Sequence, residues 1–205
     1  MTSTPSTTEL DTELSAVNSI LGSIGQSPIT TLDFDNPEIY FVYNLLKECN
    51  IDIQSEGWSF NVEKHVKRTP DTNKHITIAD DILQMDINDE QRDRFTDVVK
   101  RNGRLYDKVN HTDEFTDDVY LDITYLYAFT DIPQVFKRYI IYCASVRAAT
   151  QLVANPQLVQ LLQSKEAYGR AACMEYECNQ GDHSYLGWPH ESVYNSFQPY
   201  QALRR

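Results

Sequence analysis

Apolar residues follow a helical period, then alternate, then return to the helical period. Ser6 and Glu9 have capping-box spacing, and Leu10, Leu14, Val17, Leu21 and Ile24 recur on one helical face behind them. Gly22 and Gly25, with Pro28 beyond, end this first helix. Asn36-Pro37 opens a second, because Asn caps well and Pro at the first helical position loses no hydrogen bond. Its stripe is Ile39, Val42, Tyr43, Leu46, Cys49 and Ile53, closed by Gly57. Trp58, Phe60 and Val62 then alternate with Ser59 and Asn61, which predicts a strand. Thr69-Pro70-Asp71 is a turn signal. Ile76 to Ile78 and Leu83 to Ile87 predict short strands, and Asp89 to Arg94 a charged loop.

Val98-Val99 and Leu105-Tyr106 flank Asn102-Gly103, the pair that most cheaply supplies positive φ to a two-residue hairpin turn. After an acidic loop from His111 to Asp118, Val119, Leu121, Ile123, Tyr125 and Tyr127 alternate as a longer strand. Helical spacing resumes past Asp131-Ile132-Pro133, with Val135, Phe136, Tyr139, Ile140, Cys143 and Val146 on one face as far as about Val153. Asn155-Pro156 repeats the cap-plus-proline device and opens a last helix ending near Gly181, with Leu158, Leu161, Leu162, Tyr168, Ala172 and Tyr176 along it. The remainder has no helical period but holds Tyr185, Trp188, Tyr194, Phe197 and Tyr200.

Helices, strands, helices in that order predict an α+β fold. Residues 1–57 and 131–181 are expected to form a helical body built from both chain ends. Residues 58–130 are expected to form an inserted antiparallel β lobe, and residues 182–205 an aromatic docking tail. No internal repeat is present.

Composition narrows the function. The 205 residues suffice for a real core without disulfides or metal. A formal charge of −12 argues against a protein that grips nucleic acid, though not against one that DNA slides past. Thirteen tyrosines suit protein interfaces. No apolar run has membrane-spanning length, and Met1 to Thr8 lacks a signal-peptide layout, so folding in a cytoplasm is expected. Cys49, Cys143, Cys173 and Cys178 form no Cys-x-x-Cys pair and are expected to be buried free thiols.

Catalytic signals are weak. Cys173, Cys178, His183 and His190 are metal-ligand types, but the cysteines are five apart and point about 140° away from each other on a helix. No metal or cofactor is expected. Asp80-Asp81, Asp89-Glu90 and Asp117-Asp118 are paired acids, yet a hydrolase needs two carboxyls held across a bond, one with a raised pKa. Serine-nucleophile, zinc-protease and phosphate-loop motifs are absent. Lys64, His65, Lys67 and Arg68 form one basic stretch, and Arg92, Arg94, Lys100, Arg101 and Arg104 a second. The plainer reading of each is a solvated strand edge; the sharper is a contact with an acidic partner or with DNA in transit.

Several segments resemble the podovirus tail tubular protein A family. They are Glu13 to Leu21 with Ser23 to Ile29, then Ile53 to Asn61 with its Gly57-Trp58-Ser59-Phe60-Asn61 turn, and the hairpin from Asn102 to Asp107. Ile132 to Ile140, Ala144 to Arg147 and Ala171 to Glu177 follow in family order. The resemblance runs from about Leu10 to Asn179, and the tail after Gly181 departs from it. It implies a non-enzymatic virion protein, the head-to-tail adaptor. Twelve copies would form a ring beneath the portal, receive the tail nozzle protein (tail tubular protein B) below, help hold the tail fibres and let DNA pass centrally. On this view Tyr185, Trp188, Tyr194, Phe197 and Tyr200 are candidates for the portal side, and Arg101, Asn102, Gly103, Arg104 and Tyr106 for the nozzle and fibre side. Twelve copies at −12 each carry −144, an acidic lumen for sliding DNA. The alternatives are a tail-associated hydrolase of host surface polymers and a host-directed binding module.

Overall fold

The computed structural model describes residues 12–88 and 97–181. Four helices and five strands carry the fold: α1 (Glu13–Ser23), α2 (Pro37–Gln54), β1 (Val62–Arg68), β2 (Ile82–Ile87), β3 (Val98–Arg101), β4 (Arg104–Asp107), β5 (Val119–Tyr125), α3 (Gln134–Ala148) and α4 (Pro156–Gly181). This is the α+β arrangement that the periodicity predicts, with helices from both ends and antiparallel strands between.

Helix α1 starts later than its spacing suggests. Thr12 is the cap, its hydroxyl accepting from the Ser15 N–H at 3.3 Å. The Ser6–Glu9 box and Leu10 lie outside the described residues, as do the Asp89–Arg94 loop and the tail from Asp182. Asn36 caps α2 as predicted, through the Glu38 N–H at 3.0 Å. Helix α3 passes into a π-helical turn over Ala149–Val153, closed by Ala154 at φ +52°. Asn155 then caps α4 through the Gln157 N–H at 3.0 Å.

The strands form two small sheets. One is three-stranded and antiparallel in the order β1-β5-β2; the other is the hairpin β3-β4. The predicted strand at Trp58 and Phe60 is corrected: β1 begins only at Val62, and a turn precedes it. Both rings instead join the helical core against Phe136, at 4.9 and 4.6 Å between centroids. Residues 76–78 form no named strand either. They bridge to the hairpin at Thr77 and Arg104, and the Leu105 N–H donates to the Ile76 carbonyl at 2.9 Å. The long strand stops at Tyr125, so Tyr127 leaves the alternation.

Two apolar cores result. Val17, Ile20, Val42, Leu46, Phe136 and Ile140 centre the helical one. Ile76, Ile78, Leu105, Leu121 and Ile123 fill the other, between the two sheets. Fully burying each such side chain contributes about 1.5–3 kcal/mol. Two buried amides stitch the cores together where the chain crosses between them. Gln54 accepts from the Tyr127 N–H at 2.8 Å and donates to the Tyr127 carbonyl at 3.0 Å. Asn61 accepts from the Trp58 N–H at 2.8 Å and donates to the Gln54 and Tyr125 carbonyls.

Candidate interaction surfaces

The hairpin β3-β4 turns at Asn102 and Gly103, with φ of +52° and +71°. These are the two left-handed residues that a tight hairpin needs. Its basic side chains are already engaged. The Arg101 guanidinium sits 4.0 Å over the Tyr106 ring. Arg104 pairs with Asp113 at 3.2 Å, and Lys100 reaches both Asp80 at 2.9 Å and the Ala79 carbonyl at 2.7 Å. Lys108 pairs with Asp97 at 2.7 Å. Leu105 is fully buried beneath the turn. The tip is therefore a pinned, mixed-charge knob and not a row of free cations. Arg92 and Arg94 lie outside the described residues.

The other basic stretch lies on β1, an edge strand. Lys67 pairs with Asp118 at 2.7 Å, and Arg68 donates to the Tyr125 hydroxyl at 3.1 Å. His65, at φ +61°, stacks on Tyr120 at 4.6 Å where the register with β5 shifts. That irregularity and the lysines are features that blunt a sheet edge.

The carboxylates sort by their bonding. Hydrogen bonding to Lys100 holds Asp80 below the usual carboxylate range, and bonding to Lys67 does the same to Asp118. Burial works against ionising Asp107. Bonds from the Asn110 side chain and the Val109 and Asn110 N–H groups outweigh it and bring its pKa down. Downward shifts are the reverse of what a glycosidase acid requires. A groove of about 510 Å³ between the sheets is lined by Gln84, Asp86, Asp97, Lys108, Asp122 and Thr124. Among the described residues no group of three or more His, Cys, Asp or Glu could hold a metal, and no helix is long and apolar enough to cross a membrane. His183 and His190 lie outside the described residues. Cys49, Cys143 and Cys173 are buried as expected, with burial pushing the Cys173 thiol up to about 12. Cys178 is exposed, a correction that follows from its place across the helix from Cys173.

Two apolar surfaces emerge that periodicity did not single out. Asn18 grips both the N–H and the carbonyl of Ile29, at 2.8 and 2.9 Å, and so fixes the α1–α2 linker. That linker presents Phe34, which meets Tyr40 and Tyr43 of α2 at 6.4 and 5.0 Å. Phe34 and Tyr40 remain 49% and 52% exposed. On α4, the residues turned inward are Leu162, Gly169, Cys173 and Tyr176, while Leu161 and Tyr168 are 66% and 73% exposed. Each exposed residue lies one position before a buried one, about 100° around the helix. Their shared seven-residue spacing made the two sets look like one stripe.

The five aromatic residues assigned to the portal side, Tyr185, Trp188, Tyr194, Phe197 and Tyr200, lie outside the described residues. No curated protein matches the chain. Residues 14–183 match a family model described as tail tubular protein. The match spans the helices at both ends and all the strands between them. The chain belongs to the tail tubular protein family and is a structural component of the phage tail.

Proposed function

We propose that the chain is the head-to-tail adaptor: a ring of twelve copies that joins the portal to the tail nozzle and surrounds the exit path of the DNA. The observation that carries this is the family match, which covers the helical elements and the β lobe together. Three features support it. Large aromatic side chains stand exposed on α2, α4 and the α1–α2 linker, as assembly surfaces require. The acids with shifted pKa are stabilised as carboxylates, which suits structural charges better than acid catalysis. The net charge of −12 suits a wall past which DNA slides.

In this reading the helices form the ring on the portal side, and the β lobe faces the nozzle and fibres. The hairpin knob of Arg101, Asn102, Gly103, Arg104 and Tyr106 is the nozzle or fibre contact. The aromatic tail with Tyr185, Trp188, Tyr194, Phe197 and Tyr200 docks on the portal. Electron microscopy of the purified chain mixed with portal tests the ring: a twelve-fold ring stacked on the portal is expected, and neither ring nor stacking would refute the adaptor. Deleting residues 182–205 tests the tail, and normal portal docking by that truncation would remove its role.

A further inference from the structure

The two exposed aromatic surfaces stand on different parts of the helical body. Helix α4 packs along α3 as the second arm of an antiparallel hairpin, with Gly169 against Tyr139 and Tyr142 and Cys173 against Val135. Helices α1 and α2 pack on α3 and on each other. The corner of Phe34 and Tyr40 therefore belongs to one flank of the body, and the outer side of α4 to another.

Their charges are opposite. On α4, Lys165 lies between Leu161 and Tyr168, one helical turn from each, so the three share one surface. Lys165 is exposed and makes no ion pair among the described residues. The Phe34 corner is rimmed by Asp33, Asp35 and Glu38, all exposed and likewise without an ion pair among the described residues, against a single cation, Lys47, which lies 4.5 Å over the Tyr43 ring, so the corner is net acidic. Pairing either surface with its own copy sets like charges together: lysine on lysine, or acids on acids. Only the cross-pairing buries aromatic and aliphatic area while matching charge.

We infer that the α4 surface of Leu161, Lys165 and Tyr168 docks on the Phe34–Tyr40 corner of a second copy of this chain, with Lys165 facing the acids around Phe34. Because the surfaces differ, the contact is head-to-tail, the type that closes into rings. The inference rests on the ring reading above and goes further by naming the two surfaces that meet.

The test uses the full chain, alone and mixed with portal, with assembly followed by sedimentation and electron microscopy. Lys165→Glu should raise the concentration for half-assembly by at least about tenfold, as should Asp35→Lys with Glu38→Lys. Tyr168→Ser should do the same by removing an aromatic anchor. Combining all three charge reversals should restore assembly toward the native level, which a folding defect could not do. Unchanged assembly by Lys165→Glu and Tyr168→Ser overturns the inference and leaves the ring reading standing. Loss by Lys165→Glu without rescue overturns it too. If deletion of residues 182–205 reproduces that unrescued loss, the face belongs to the chain's own tail. A native chain that stays monomeric alone and on the portal overturns the inference and the ring together.

Discussion

Asp107 shows how one buried side chain organises the β lobe. It is 3% exposed and accepts the Val109 and Asn110 N–H groups at 2.8 and 3.2 Å, plus the Asn110 amide at 2.7 Å. Asp107→Ala leaves those donors without their acceptor and should cost about 2 kcal/mol in denaturant unfolding. Its folded pKa lies below the ordinary carboxylate value of about 3.9. The contribution is therefore fully present above that value and is lost as pH falls through the depressed one. Native stability should drop over that acid window, and Asp107→Asn should flatten the drop. An unaltered acid profile in Asp107→Asn would show that Asp107 is not the titrating group. Phe136 plays the matching part in the helical core, touching Trp58, Phe60 and Tyr176 with centroids 4.9, 4.6 and 5.7 Å away. Phe136→Ala should cost about 3–5 kcal/mol by thermal or chemical unfolding.

Among the elements, the α3–α4 hairpin depends on a close approach at Gly169. A Cβ there would meet Tyr142 Cδ2 at 2.9 Å and the Tyr139 backbone at 3.4 Å. Alanine brings about 1 kcal/mol of helix propensity and an overpacking cost of about 1–3 kcal/mol, so Gly169→Ala should lower stability by between nothing and about 2 kcal/mol. Gly169→Leu brings less propensity and far more volume. It should destabilise by about 3 kcal/mol and push α4 off α3, visible as exposure of Cys173 to thiol reagents. Unchanged stability in Gly169→Leu would mean that the two helices are not held at this distance. The hairpin β3-β4 depends instead on backbone freedom. Gly103 sits at φ +71° with open space around it, so a β-branched residue there should fail through strain and not through a clash.

For the whole molecule, the question is whether the helical core and the sheet core unfold as one. They are separate apolar clusters joined by the paired amides Gln54 and Asn61. The native chain should unfold in a single transition, because each amide bonds backbone groups beyond its own turn. The double substitution Gln54→Ala with Asn61→Ala removes that seam. It should split calorimetric unfolding into two steps, with the β lobe melting first. One sharp transition in the double variant would show that apolar contact alone couples the cores. For a structural protein of the tail this coupling matters, since it holds the β lobe at a fixed angle to the helices.

Local signals were readable in the residues themselves. Asn36-Pro37 and Asn155-Pro156 open helices because a side-chain oxygen serves an unpaired N–H and proline needs none. Asn102-Gly103 makes the hairpin turn because positive φ costs those residues least. The α+β order followed from such signals, while the family came from the resemblance of whole segments, such as Gly57 to Asn61 and Asn102 to Asp107, and from the family match. Tertiary structure decided the rest. Trp58 and Phe60 alternate like strand residues, yet they gain more by burying their rings on Phe136, a partner 76 or more residues away. Leu161 and Leu162 are equally apolar, and only the arrival of α3 on one side of α4 buries the second and leaves the first outside. Gln54 and Asn61 look like surface amides until their long-range carbonyl partners are in place. Capping and turn chemistry act over a few residues and are written into the chain locally. Burial depends on which elements meet, and that is settled only when the chain has folded.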